Sequence, residues 1–235
     1  MASQRYVCRK CDMILYIENR KRNKVCWRCG SWCSTIYGVT VVNKTLYNGS
    51  SYYSTDKLTI EEGVTAIDGD AFKGTSIKSI EFPKSLKELP SNCFANCRSL
   101  KKLTIPGTIQ KIGWSAFDGC PDLEEVIISE GVKEISSYAF DGCEKLRKVV
   151  FPKSLRKIDS SAFQKCSSLE EVILPEGIET IENSAFYECG KIKYISLPST
   201  LKKLGTHAFY TSYTDWSGYP ILWNIIKPGI NHKTS

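Results

Sequence analysis

The sequence predicts a mainly β solenoid of about seven 22–23-residue turns, preceded by a small cysteine-rich head. Three observations carry this reading. Phe72, Phe94, Phe117, Phe140, Phe163, Phe186 and Phe209 recur first after 22 and then always after 23 residues, a fixed period that marks a repeat architecture. A pair of apolar residues spaced two apart stands at one point of every period, as a half-buried strand requires. Two C-x2-C pairs occupy the first thirty residues, ahead of the repeat.

Each turn is built from the same parts in the same order. The strand pairs are Leu58/Ile60, Ile80/Phe82, Leu103/Ile105, Val126/Ile128, Val149/Phe151, Val172/Leu174 and Ile195/Leu197. Pro83, Pro106, Pro152, Pro175 and Pro198 follow directly and end the strand, since proline has no amide hydrogen to continue a ladder. Next come Val64/Ile67, Leu86/Leu89, Ile109/Ile112, Val132/Ile135, Leu155/Ile158, Ile178/Ile181 and Leu201/Leu204, spaced three apart to form the far wall. The turn closes through the Phe, which Ala precedes except at Cys93, and through Cys97, Cys120, Cys143, Cys166 and Cys189 in the middle turns. One turn cannot bury these groups alone, so stacked neighbours share a continuous core. The stack needs covered ends. The segment after Phe209, with Tyr210, Tyr213, Trp216, Tyr219, Trp223, Ile225 and Ile226, reads as a lid.

The strings Leu123-Glu-Glu-Val-Ile-Ile, Ser161-Ala-Phe and Cys166-Ser-Ser-Leu-Glu-Glu-Val-Ile-Leu-Pro resemble BspA-like leucine-rich repeats. The resemblance covers about two thirds of the chain and implies a strand-rich solenoid. It implies adhesion or protein recognition as the class of function. The expected organisation is a head at 1–36, a linker and N-terminal cap at 37–57, the leucine-rich-repeat solenoid at 58–209, and a C-terminal cap and tail at 210–235.

In the head, Cys8-Arg-Lys-Cys11 and Cys26-Trp-Arg-Cys29 are separated by fourteen residues, a spacing that lets two tight turns offer four thiolates to one tetrahedral zinc. About thirty residues are too few to fold on a core of their own, and a metal supplies the missing stability. The segment resembles a zinc ribbon, with one structural zinc ion held by Cys8, Cys11, Cys26 and Cys29. Four thiolates leave no open position for catalysis, and Cys33, outside both pairs, is expected to be a bystander. The charge is concentrated here as well: residues 1–33 carry +6 of the net +7. Arg20, Lys21, Arg22 and Lys24 lie between the cysteine pairs with Trp27 close behind, a mixture suited to phosphate contact and base stacking and equally to a solvated hairpin tip. A nucleic-acid partner is therefore expected, if anywhere, at residues 1–33.

For the solenoid, the outward positions of the strands are the candidate binding face. Lys102, Glu125, Lys148 and Glu171 alternate in sign down the stack, which places opposite charges on neighbouring strands and fixes register. Beside them Ile127, Val150 and Ile173 stand outward on three successive strands, an apolar patch of the kind that marks a protein contact. The expected protein-binding residues are thus Ile127, Val150, Ile173, Glu125, Lys148 and Glu171. His207 and His232 make no catalytic set, and no Gly-rich phosphate loop or nucleophile elbow occurs, so the reading is a non-enzymatic scaffold. The alternative functions are a nucleic-acid-binding adaptor and a surface adhesin. No run of about 18 apolar residues spans a membrane. The N-terminus has no apolar stretch typical of a secretory signal, and eleven cysteines read as thiols or thiolates place the chain in the cytoplasm. Its oligomeric state is left open.

Overall fold

The computed structural model describes the backbone of residues 3–8, 14–17, 33–42 and 45–47, and all atoms of residues 56–60 and 62–210. Strands β1 (Ser3–Cys8), β2 (Ile14–Ile17), β3 (Cys33–Val42) and β4 (Thr45–Tyr47) come first. The chain then alternates a longer strand with one of two residues: β5 Lys57–Thr59 and β6 Ala66–Ile67; β7 Ser79–Glu81 and β8 Glu88–Leu89; β9 Lys102–Ile105 and β10 Lys111–Ile112. It continues as β11 Glu125–Ile128 and β12 Glu134–Ile135; β13 Lys148–Val150 and β14 Lys157–Ile158; β15 Glu171–Ile173 and β16 Thr180–Ile181; β17 Tyr194–Ser196 and β18 Lys203–Leu204.

Strands of one kind pair in parallel with their equivalents one turn away, so that Glu88, Lys111, Glu134, Lys157, Thr180 and Lys203 fall in one row. The result is a parallel β-solenoid of about six complete turns, bounded by the seven expected phenylalanines. Those rings stack along the axis at centroid distances of 5.0 to 5.4 Å with their planes nearly parallel. Phe72 to Phe186 are fully buried. The expected core therefore forms as one column, with the strand pairs on one wall, the second apolar pairs on the other and Phe and Cys between them.

The Cys ladder has a polar task inside this apolar column. Cys120, Cys143, Cys166 and Cys189 each donate Sγ–H to the carbonyl of a phenylalanine more than one turn earlier, namely Phe94, Phe117, Phe140 and Phe163, at 3.1 to 3.3 Å. A thiol fills the volume of a small apolar group while satisfying a buried carbonyl, which explains its use at this point of the repeat.

A second device locks particular turns together. Glu62-Gly63-Val64, Glu130-Gly131-Val132 and Glu176-Gly177-Ile178 each sit one period before Lys84-Ser85-Leu86, Lys153-Ser154-Leu155 and Ser199-Thr200-Leu201. The carboxylate accepts from the backbone amide of the next turn: Glu62 from Lys84, Glu130 from Lys153 and Ser154, Glu176 from Ser199. The hydroxyl of Ser85, Ser154 or Thr200 accepts from the glycine amide and donates to the following carbonyl. Gly63, Gly131 and Gly177 adopt positive φ, which only glycine does without strain.

The column of longer strands is not one continuous sheet. Its ladder is interrupted between β7 and β9 and between β13 and β15, giving groups of two, three and two strands. Both interruptions follow the strands whose second inward residue is phenylalanine, Phe82 and Phe151. Each ring packs edge-on against the Phe column, Phe82 against Phe94 at 5.9 Å and Phe151 against Phe163 at 5.7 Å. On the same two strands Ile80 and Val149 are only partly buried, whereas their equivalents Leu58, Leu103, Val126, Val172 and Ile195 are buried.

At the N-terminal end, β1 pairs antiparallel with β2 and β3, β3 with β4, and β4 in parallel with β6 through Thr45↔Ala66 and Leu46↔Ile67. The sheet order β2-β1-β3-β4-β6 thus joins the head to the first rung of the solenoid, and β3 runs across the expected boundary at 36/37. The expected C-terminal lid beyond Tyr210 lies outside the described residues.

Candidate binding face

The three aliphatics expected to face outward do so. Ile127, Val150 and Ile173 are 38%, 39% and 56% exposed, and Ile127 and Val150 are direct partners in the ladder between β11 and β13. Ile173 occupies the equivalent place on β15, beyond the second interruption. Exposure follows from strand alternation: Val126 and Ile128 on either side of Ile127 are buried, so the residue between them points to solvent. Exposed Tyr194, the partner of Glu171 in the β15–β17 ladder, stands in the charged row beside the patch, and Ser196 holds the place after Ile173.

Charges border the patch, and several of them are paired across strands. Glu125 accepts from Lys148 at 2.9 Å and lies 3.4 Å from Lys102, with the three residues on adjacent strands. The hydrogen bond from Lys148, then that from Lys102, holds the Glu125 carboxyl below the usual glutamate range. Lys193 pairs with Glu170 at 2.9 Å in the same manner. The alternation read from the sequence is realised at these pairs, with Lys102 and Lys148 sharing the Glu125 carboxylate, while the expected Glu171 stands opposite Tyr194 and makes no ion pair among the described residues.

The other expected site residues lie elsewhere. Cys8 ends β1, and its side chain is outside the described atoms, while Cys11, Cys26, Cys29, Arg20, Lys21, Arg22, Lys24 and Trp27 fall outside the described residues. His207 adopts a left-handed backbone in the column of Asp70, Asn92, Ser115, Tyr138, Ser161 and Ser184, and its ring packs edge-on against Tyr210 at 5.4 Å. Two features escape the sequence reading. Trp114 and Tyr138 form an exposed edge-to-face pair at 6.1 Å, legible only once the rungs are aligned. Asp118 and Asp141, one rung apart behind the Phe column, are half-buried carboxyls. Burial pushes both above the usual aspartate range, and Asp118 raises Asp141 further.

The face and its repeat place the chain among known proteins. The family model of the BspA-type leucine-rich repeat region matches residues 40–166 and 87–215, in six copies. The chain belongs to the BspA-type leucine-rich-repeat family. Among solved structures, this family member is similar to a leucine-rich repeat protein from Eubacterium ventriosum, with 26% identity and a TM-score of 0.68 over 76% of this chain and 50% of that one. A leucine-rich repeat protein from Bacteroides ovatus matches at 23% identity and a TM-score of 0.44, over 68% of this chain and 59% of that one. The leucine-rich repeat protein of T. pallidum matches at 23% identity and a TM-score of 0.43, over 70% of this chain and 88% of that one. The BspA-type chain thus spans about half the length of the E. ventriosum protein and somewhat more of the B. ovatus one. No curated protein matches it. The BspA-type solenoid is a repeat scaffold, and no helix among the described residues is long and apolar enough to cross a membrane.

Proposed function

We propose that the protein is a non-catalytic recognition scaffold that holds a protein partner against the outward column Ile127, Val150 and Ile173. The observation that carries this reading is the exposure of three aliphatics at equivalent points of successive strands, where Thr59, Glu81, Thr104 and Ser196 stand elsewhere in the solenoid. Covering apolar side chains removes them from water, a transfer term of about 25 cal/mol per Å2 before the costs of association are met, and a pre-ordered backbone lowers those costs. The strip itself is apolar and so favours an apolar surface on the partner; Lys102 and Lys148 beside it share the single Glu125 carboxylate. Affinity purification followed by binding of the re-made partner tests this. Ile127→Glu with Ile173→Glu should abolish binding with no change in unfolding midpoint, and unchanged affinity would exclude the face.

We further propose that the head carries one structural zinc ion on Cys8, Cys11, Cys26 and Cys29. In support, Cys8 ends β1, which pairs antiparallel with β2 through Val7↔Ile14, and four cysteines in two C-x2-C pairs are the donor set of a structural zinc. The ion would tie the two C-x2-C pairs together and stabilise β1, which Cys8 ends. Elemental analysis should find one zinc per chain; metal-free folded protein would exclude it. For nucleic acid, the described residues supply no supporting geometry.

A further inference from the structure

We propose that the wall of short strands, away from Ile127, Val150 and Ile173, binds a linear polysaccharide that carries one carboxylate per sugar ring and lies along the solenoid axis. This second site goes beyond the protein-recognition reading and uses none of its residues. The residues that precede the short strands form a row, in which Gln110, Lys133, Arg156 and Glu179 donate their backbone amides to the carbonyls of Lys87, Gln110, Lys133 and Arg156. Lys87, Gln110, Lys133 and Arg156 therefore stand on four successive rungs about 4.8 Å apart, and all four are exposed.

Three of the four are cations with no acidic partner. Among the described residues Lys87, Lys133 and Arg156 make no ion pair: Lys87 reaches the Lys84 carbonyl at 3.4 Å, and Arg156 the carbonyls of Lys153 and Leu155 at 2.7 and 3.1 Å. The neighbouring row is largely compensated, with Lys111 on Glu134 and Lys157 on Asp159, each at 2.7 Å, and beyond Arg156 the Glu179 carboxylate is taken by Lys202. What remains is a positive line about 14 Å long, which attracts an anionic chain laid along it. Its charge is sparse. Gln110 interrupts the cations and Glu88 and Glu134 border them, so a polymer with one acid group per unit fits, and a dense polyphosphate meets repulsion.

The far side of the same rungs points to a sugar. Ser91, Trp114, Ser137, Ser160 and Asn183 form a second row, aligned by the amide-to-carbonyl bonds of Asn92 to Trp114, Ser115 to Ser137, Tyr138 to Ser160 and Ser161 to Asn183. The hydroxyls of Ser91, Ser137 and Ser160 make no hydrogen bond among the described residues, so they can pair with hydroxyls of a ligand. Trp114 is 49% exposed, and its ring lies at 72° to that of Tyr138, so the two offer no pair of parallel planes to clamp a base. A pyranose ring needs no such slot. Its C–H face covers one exposed indole while its rim of hydroxyls meets the serines and its carboxylate meets a lysine or the Arg156 fork.

The test measures binding of full-length protein to immobilised polygalacturonate, with dextran, single-stranded DNA and polyphosphate as comparisons. Polygalacturonate should bind, more weakly as salt is added, and dextran should not. Lys133→Glu with Arg156→Glu should weaken binding by about tenfold or more, Trp114→Ala by a similar factor, and Ile127→Glu with Ile173→Glu not at all. Absence of polygalacturonate binding overturns the proposal. So does tighter binding of DNA or polyphosphate through Lys133 and Arg156, or binding that is lost with Arg20→Glu, Lys21→Glu and Arg22→Glu but indifferent to Lys133 and Arg156. Acetylation footprinting of the wild-type chain locates the site without any variant. Polygalacturonate should shield Lys87 and Lys133 and leave Lys148 reactive, and the reverse pattern overturns the assignment.

Discussion

Thr108 occupies the place held in other turns by Ser85, Ser154 and Thr200, yet its buried Oγ1 has no hydrogen-bond partner. The reason is visible one turn earlier, where Lys84-Ser85-Leu86 stands instead of a Glu-Gly pair. A buried hydroxyl without a partner costs about 1–3 kcal/mol, so the isosteric Thr108→Val should raise stability by about 1 kcal/mol in denaturant titration. The same change at Thr200, whose hydroxyl bonds Gly177 and Ile178, should lower it. Asp118 and Asp141 give a pH-dependent counterpart. Their folded-state pKa values are raised, chiefly by burial, so their favourable contribution is complete below the unfolded aspartate pKa and is lost as pH rises through the folded one. Asp141→Asn should therefore raise the unfolding midpoint at pH 7 and leave it nearly unchanged near pH 3. Equal effects at both pH values would contradict the assignment.

Among the elements, the strand column shows how one side chain sets local order. If the volume of Phe151 holds β13 away from β15, Phe151→Leu should let the ladder close, because Leu174 and Leu197 occupy the equivalent place in turns whose strands do pair. Native-state hydrogen exchange would then report slower exchange of the amides of Glu171–Ile173, and unchanged rates would assign the interruption to another cause. Most of this level was legible in advance. The Phe period, the alternating strand pairs and the terminating prolines each express one constraint, the need of a short turn to bury the same face as its neighbours. The interruptions were not legible, because Phe and Ile count alike as inward apolar residues until their volumes meet in a stack. Nor were the left-handed rungs: Asp70, Asn92 and His207 are residue types that tolerate positive φ, but Tyr138 and Lys165 adopt it through their place in the turn. The pairing of Glu130 with Lys153 and Ser154 was hidden because paired glutamates and lysines read as a solvated surface.

For the whole molecule, the solenoid and its outward column follow from the repeat, because a period of 23 residues puts chemically equivalent positions side by side. The charge alternation of Lys102, Glu125 and Lys148 survives as ion pairs for the same reason. The partner does not follow, since Ile127, Val150 and Ile173 specify a surface polarity and a spacing, not a sequence to be recognised. The two C-x2-C pairs of the head are legible as a spacing, whereas the backbone pairing of Cys8 with Cys33 depends on a strand register that no local spacing announces. The central claim is that the strand face holds the partner, and hydrogen exchange of the complex tests it most directly. Partner binding should slow exchange along Glu125–Ile128, Lys148–Val150 and Glu171–Ile173 and leave the short strands of the opposite wall, such as Glu134–Ile135, unchanged. Protection on that opposite wall, with the outward column exchanging as in the free protein, would contradict it.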